Sequence, residues 1–277
     1  MSGPRSEQMT RAIRQRRLLF LGLTLAAAGA LLLPFRPEVE ITRGARTTFD
    51  FIEALNSGST VMISFDHEAS SFPEMKPLAD ALISHLFSRD INVIGLSLFT
   101  EGTGLGATLL DRLARKHNRD YGTDYVFLGF KPPPVATILG MGESISKIYP
   151  RDYYDTPVAD LPLMDSVGNY DDLAVVFTIA DGSTPQHWAE YGAARYDVKI
   201  ITASAAVMVT QFDPYVRAGQ IQAILGGLRG AAEYERLLGQ VGGGSRGMLA
   251  QTSAHLFLAL VIIAGNIVFW RSRRWRG

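Results

Sequence analysis

The chain has 277 residues, with 27 basic and 27 acidic side chains and therefore no formal net charge. A neutral chain has no general attraction for polyanions, so nucleic acid is not an expected partner. The absence of cysteine excludes disulfides, thiolate metal sites and cysteine nucleophiles.

The first predicted element is an apolar run of 18 residues, 18–35, that contains no charge. At about 1.5 Å per residue, a helix of this length can span a bilayer core of roughly 30 Å. A cleavable signal peptide is the alternative, because it shares the basic start and small residues, but Pro34–Pro37 is a poor cleavage context. We therefore predict a basic cytoplasmic tail at 1–17 and an uncleaved transmembrane helix at 18–35.

Residues 36–246 are predicted to form one domain in which short apolar runs alternate with amphipathic helices. The predicted strands are Thr60–Phe65, Ile91–Phe99, Tyr125–Phe130, Leu173–Ala180 and Val198–Ala203. The predicted helices are Thr47–Leu55, Pro73–Arg89, Thr103–His117, Val135–Ile148, Pro185–Tyr196 and one or two closing helices within Gln211–Leu238. Apolar strands in alternation with helices indicate a parallel sheet covered on both faces. We expect an α/β, doubly wound, mostly parallel, five-stranded Rossmann-like sandwich.

Polar residues follow the first predicted strand, at the sheet edge where doubly wound folds bind ligands. His67 is a candidate general base or metal ligand, oriented by a carboxylate of Asp66 or Glu68. The alternative is that both carboxylates merely favour the N-terminus of the next helix. If the chain is an enzyme, its catalytic candidates are Asp66, His67 and Glu101.

Glycines at the end of the second predicted strand suggest an anion-binding turn, whose backbone N–H groups would face the ligand. The stretch Glu101–Gly106 matches neither G-x-G-x-x-G nor a P-loop, so a plain tight turn capped by Thr103 is the alternative. Lys131 could neutralise an anionic ligand, and Asp181–Pro185 combines a turn with a helix cap. The ligand-binding candidates are Glu68, Gly102, Thr103, Gly104, Lys131, Asp181 and Ser183.

An irregular, acidic and tyrosine-rich loop is predicted at 149–172. Tyr153, Tyr154 and Asp155 are candidates for binding a partner protein, because tyrosines are enriched at interfaces. A cation site built from oxygen ligands and a solvated cover of the sheet edge are the alternatives, and the spacing does not match an EF-hand. We predict no metal site and no cofactor.

The last predicted element is a second transmembrane helix at 247–270, followed by a basic tail at 271–277. Asn266 lies within its apolar run and would favour another helix over lipid. Nine arginines lie on the outer flanks of the two runs and five on the inner flanks. The basic excess predicts cytoplasmic termini and an extracytoplasmic domain; the inverted topology is the alternative.

Two functions fit these features. The first is a non-catalytic, bilayer-anchored module that serves as a subunit or scaffold of a larger membrane assembly and binds a partner or small ligand. Its support is the double anchor, Asn266 and the loop at 149–172. The alternative is a membrane-bound hydrolase or transferase whose site lies at the carboxyl edge of the sheet. The expected partners are the lipid bilayer and other membrane protein subunits.

Overall fold

A computed structural model of the chain describes residues 4–32 and 39–274. The chain divides into two compact units. One unit is an α/β domain of residues 39–244, and the other draws on the two chain ends, up to residue 38 and from residue 245.

The domain is built on one all-parallel sheet of six strands in the order β3-β2-β1-β4-β5-β6. The strands are β1 (Thr60–Asp66), β2 (Asn92–Ser97), β3 (Tyr125–Phe130), β4 (Val176–Ala180), β5 (Ile200–Ser204) and β6 (Ala223–Gly226). The α/β parallel architecture is confirmed, but the expected number of five strands is wrong. The sixth strand is only four residues long and lies where we predicted closing helices, because a short apolar run has no period that separates strand from helix.

Helices connect the strands and flank the sheet. They are α1 (Pro4–Leu32), α2 (Arg43–Glu53), α3 (Phe72–Ser88), α4 (Thr100–Lys116), α5 (Pro134–Glu143), α6 (Ile145–Ile148), α7 (Thr184–His187), α8 (Ala194–Tyr196), α9 (Asp213–Arg217), α10 (Gly227–Leu237) and α11 (Gly243–Arg274). A π-helical turn, Trp188–Ala193, joins α7 to α8. Short 3-10 helices lie at Val158–Asp160, Pro162–Ser166, Tyr170–Asp172 and Ala206–Phe212.

Two apolar cores bury the two faces of the sheet. On the first face, side chains such as Ile63, Phe65 and Phe177 pack against α2, α3, α4 and α10. On the second face, Met62 and Val176 pack with Trp188 and the segment 149–172. Because side chains alternate along a strand, odd-numbered and even-numbered residues of β1 lie on different faces. Only side chains on the same face of the sheet can therefore meet near the carboxyl ends of the strands.

Both edge strands are covered. At β3, the Tyr153 N–H donates to the Phe127 carbonyl at 2.9 Å, and the two rings stack edge-to-face at 5.5 Å. At β6, Ala223 and Leu225 are only 3% and 1% exposed, and Gly44 of α2 lies directly against the Ile224 carbonyl. Covered edges give another sheet no template for pairing. Segment 149–172 therefore has a structural task as a cover of β3.

The first and last elements of the domain are tied together. The Thr42 hydroxyl donates to Glu233 of α10 at 2.6 Å, and the Arg236 guanidinium donates to the Val39 carbonyl at 2.6 Å. Glu235 is 2% exposed and accepts from the Gly244 N–H at 2.7 Å. The N-terminal and C-terminal ends of the domain thus lie beside the same helix.

The second unit contains two helices that are long and apolar enough to cross a membrane, Ala12–Leu32 within α1 and Gly243–Arg271 within α11. A Cβ atom on Gly22 would lie 2.6 Å from the Phe257 ring, so the two helices pack closely at this glycine. Most of their other apolar side chains are exposed. Residues 33–35 of the predicted first span lie outside the described residues.

Candidate functional site

The carboxyl ends of β1, β2, β4 and β5 surround a cleft of about 520 Å³. It lies where the strand order reverses between β1 and β4, which is where open parallel sheets bind ligands. Its walls are Asp66, Glu68, Ser70, Ser71, Glu74, Phe99, Asp181, Gly182, Ser183, Thr184, Ala205 and Val207. The structure therefore brings together Asp66, Glu68, Asp181 and Ser183 from the predicted site.

Asp66 is the last residue of β1 and is 2% exposed. Its Oδ2 atom accepts a hydrogen bond from Ser64 Oγ at 2.6 Å, and Oδ1 accepts from the Leu98 N–H at 2.6 Å. These bonds favour the charged form, yet burial outweighs them and raises the pKa of Asp66 to about 7. The carboxyl group is thus held in place at both oxygens, and its pKa lies well above the usual range of an aspartate.

His67 is 1% exposed and does not line the cleft. Its Nδ1 atom lies 3.2 Å from the Glu68 carbonyl oxygen, which requires Nδ1 to carry the proton and donate. Burial is the main cause that lowers the pKa of His67, so the ring is neutral at neutral pH. The histidine ring packs against Phe72, with 5.8 Å between ring centroids. These contacts describe a satisfied core histidine.

Asp181 joins the loop after β4 to the loop after β1. Its Oδ2 atom accepts from the Glu68 N–H at 2.8 Å and also from the Ser71 hydroxyl. The same hydroxyl lies 3.0 Å from the Glu68 carbonyl oxygen. Ser71 precedes α3 but makes no side-chain cap bond there, so the N-terminal cap suggested by its position is replaced by this contact between loops.

Glu101 and the glycines after it lie inside α4, not in a turn before it. The Glu101 carboxylate accepts from the Ala69 N–H at 3.1 Å, which joins α4 to the loop after β1. Gly102 packs so tightly on the Phe65 carbonyl that a Cβ atom would overlap it. Thr103 and Gly104 belong to the same helix, and Phe99 precedes it as N-cap. Close packing thus accounts for Gly102 without a bound anion.

Lys131 stands apart from the cleft. It is exposed, follows β3, and its backbone carbonyl accepts from the Thr137 hydroxyl at 3.2 Å. Ser183 lines the cleft as the N-cap of α7 and makes no side-chain cap bond. Of these two predicted ligand contacts, only Ser183 lies on the cleft wall.

The predicted partner-binding residues lie in both units. Tyr153 and Tyr154 are 46% and 48% exposed and stack edge-to-face at 5.2 Å. Tyr154 also donates to Asp111 at 2.6 Å, while Asp155 has a left-handed φ of 66°. Asn266 donates from Nδ2 to the Ile262 carbonyl of its own helix at 3.0 Å, so part of its hydrogen-bonding need is met within α11.

Sequence reasoning missed a group of buried hydroxyls beneath the cleft. Ser64, Thr178, Thr202 and Ser204 are all 0% exposed and share the parity of the second sheet face. The signal was one or two hydroxyls at positions of the same parity inside runs that are otherwise mostly apolar. Its meaning depends on strand register, which places Ser64 beside Thr178 and Thr178 beside Thr202.

Among the residues that the structure describes, no group of three or more His, Asp or Glu side chains is arranged to hold a metal ion. No protein family, curated protein or solved structure matches this chain with significant similarity.

Proposed function

We propose that the chain is a non-catalytic, bilayer-anchored Rossmann-like module that serves as a subunit of a larger membrane assembly and binds a small ligand or partner. The strand order, with its reversal between β1 and β4, supports the Rossmann-like description. The two apolar helices support the membrane anchor.

One observation carries the non-catalytic part of the proposal: the candidate catalytic groups already serve the fold. Glu101 accepts a hydrogen bond from the Ala69 N–H, and Asp66 is held by Ser64 and Leu98. Asp181, a ligand-binding candidate, accepts from the Glu68 N–H in the same way. His67 is buried away from the cleft. A general base must reach the proton that it removes, directly or through one water. A buried histidine that faces its own loop does not meet this requirement.

The proposed orientation has both termini in the cytoplasm and the domain outside. It rests on the excess of arginines on the outer flanks of the two spans. A fluorescent protein that matures only in the cytoplasm is expected to be bright at either terminus. A phosphatase reporter active only outside the cytoplasm is expected to be active when inserted after Gly219, an exposed turn residue. The reverse pattern would establish the inverted topology.

The proposed protein contact is the tyrosine pair at the β3 edge. Rigid aromatic side chains that are half exposed are typical anchors of interfaces. In mild detergent, the wild-type chain is expected to purify with other membrane proteins at fixed stoichiometry, measured by light scattering. Tyr153→Ser is expected to weaken this complex by about 30-fold, which corresponds to roughly 2 kcal/mol.

Val216→Ser is the matched control, because Val216 is 36% exposed on α9, away from the tyrosine pair. It is expected to leave the complex intact. A wild-type chain that purifies as a lone monomer contradicts the assembly proposal. If the complex remains intact in Tyr153→Ser, the partner binds a surface other than the tyrosine pair.

The enzyme alternative draws support from Asp66. A carboxyl group that burial keeps partly protonated near pH 7, at the wall of a cleft, has the property required of a general acid. Hydrolysis of a generic ester or phosphoester that disappears in Asp66→Asn would favour this function over the non-catalytic one.

A further inference from the structure

The second face of the sheet is polar where β1, β4 and β5 approach the cleft. One register row across these strands consists of Ser64, Thr178 and Thr202, and the next row towards the carboxyl edge consists of Asp66, Ala180 and Ser204. The row before them is apolar, with Met62, Val176 and Ile200. We call these five polar residues and Ala180 the polar floor. Its four hydroxyl residues are 0% exposed and lie beneath the cleft wall, to which only Asp66 of the polar floor belongs.

Several groups of the polar floor lack hydrogen-bond partners. Thr178 Oγ1, Thr202 Oγ1 and Ser204 Oγ are buried and make no hydrogen bond within the described part of the chain. The Tyr149 hydroxyl, also buried and unpartnered, lies on the same face. Burial is the main cause that raises the pKa of Tyr149, and the charge of Asp66 raises it further. An unpartnered buried polar group costs about 1–3 kcal/mol, so these four hydroxyls, together with the unpartnered Trp188 Nε1 in the same core, require an explanation.

The polar floor continues into the acidic cleft. Asp66 belongs to both, and Ser204 lies in its register row and directly precedes Ala205 on the cleft wall. The cleft carries the carboxyl groups of Asp66, Glu68, Glu74 and Asp181, and its described wall includes no Lys, Arg or His. None of these four groups makes an ion pair with a described residue. Uncompensated negative charge in a cleft attracts cations.

We propose that the polar floor and the cleft together bind a small protonated aliphatic amine, with an α,ω-diamine as the best-matched class. One ammonium group would lie against Asp66 and the free hydroxyl oxygens of Thr178, Thr202 and Ser204, and its three N–H groups would donate to Asp66 and to two of these hydroxyls. The other would lie among the carboxylates of the cleft mouth. An ammonium group supplies three donors, which fits a site rich in acceptors. This inference deepens the ligand-binding part of the proposed function and rests on it.

The test is calorimetric titration of 1,4-diaminobutane into the full chain in detergent at pH 7.5, with wild type, Ser204→Ala and Thr202→Val. We expect saturable binding to wild type. Each variant is expected to lower the affinity by about tenfold, the usual effect of one hydrogen bond to a charged group. Without ligand, neither variant is expected to lower the melting temperature, because removing an unpartnered buried hydroxyl removes no bond.

Thr48→Val is the matched control. Thr48 is also 0% exposed, but its hydroxyl donates to the Gly44 carbonyl at 2.9 Å, away from the cleft. This variant is expected to lower the melting temperature and to leave the affinity for the diamine unchanged. The control thus distinguishes a hydroxyl that stabilises the fold from one that contacts the ligand.

Three results would overturn the inference. They are the absence of saturable diamine binding to wild type, unchanged affinity in both hydroxyl variants, and preferential binding of a neutral polyol such as inositol or of Ca²⁺ offered alone. If the membrane complex is recovered intact while the diamine does not bind, only this inference fails. If the diamine binds and is converted to a product, the proposed diamine site is supported and the proposed non-catalytic function is contradicted.

Discussion

Replacing Gly102 by alanine is expected to destabilise the domain by about 3 kcal/mol, the upper range for overpacking a core. The added methyl group would overlap the carbonyl oxygen of Phe65, which belongs to the central strand β1. A backbone carbonyl in a parallel sheet cannot rotate away as a side chain can, so either α4 or β1 must shift. Chemical unfolding of the full chain in detergent, followed by circular dichroism, measures the loss.

Gly104→Ala is the control for this substitution. Gly104 lies two residues further along α4, is exposed, and has nothing within 4 Å of an added Cβ atom. Because alanine forms helix more readily than glycine, this variant is expected to gain about 0.5–1 kcal/mol. Equal tolerance of both substitutions would show that residues 101–106 do not pack as α4 does. The interpretation of these glycines as an anion-binding turn would then recover its support.

Asp66→Asn is expected to stabilise the protein at pH 8 by about 2–4 kcal/mol and to have little effect near pH 4. Burial raises the pKa of Asp66 from 3.8 to about 7, so the native state binds a proton more tightly than the unfolded chain does. Wild-type stability therefore falls as pH rises through this window. The uncharged asparagine removes that loss, and it can accept from Leu98 and donate to Ser64. Unfolding free energies measured between pH 4 and pH 8 provide the comparison.

Ser64→Ala is expected to lower the stability of the protein at high pH, whereas Asp66→Asn is expected to raise it. The Ser64 hydroxyl donates to Asp66 at 2.6 Å, and without it the buried carboxylate has one donor fewer. We expect a stability loss of about 1–3 kcal/mol at pH 8, since hydrogen bonds to charged groups are the stronger ones. If wild-type stability instead rose from pH 4 to pH 8, or if Asp66→Asn were destabilising at pH 8, the carboxylate would be stabilised by its surroundings and our account of its burial would be wrong.

The gain expected from Asp66→Asn also bears on the diamine site. A wild-type residue that lowers stability at neutral pH is commonly retained for function. The asparagine variant is therefore expected to bind 1,4-diaminobutane more weakly while it resists unfolding better. Stability and affinity would then change in opposite directions at one residue.

Much of the layered architecture could be predicted from local pattern. The run Thr60–Phe65 is dense in apolar residues and forms all but the last residue of β1. The three apolar residues of β6, Ala223–Leu225, could not be identified as a strand, because Gly226 and Gly227 end the run before any period develops. Gly102, Gly104 and Gly106 lower the helix propensity of α4, and packing on Phe65 overrides that propensity.

The site was harder to predict, because its contacts join residues far apart in the chain. Asp181 accepts from the Glu68 N–H across 113 residues, and no motif in the sequence around either residue predicts this contact. The hydroxyls of Thr178 and Thr202 become neighbours only through the register of β4 with β5. Strand parity was visible in the sequence, but the alignment of one strand with the next is set by the whole fold.

The contact between Thr42 and Glu233 spans 191 residues, so it also sets an order of events during synthesis. The helix α2 leaves the ribosome early, but its apolar stripe with Ala45 and Ile52 belongs against β6 and α10, which are translated near the end of the domain. Until then that stripe is available to chaperones. A nascent chain that terminates before Ala223 would lack both β6 and α10 and leave the stripe uncovered, which makes such fragments natural targets for quality-control proteolysis.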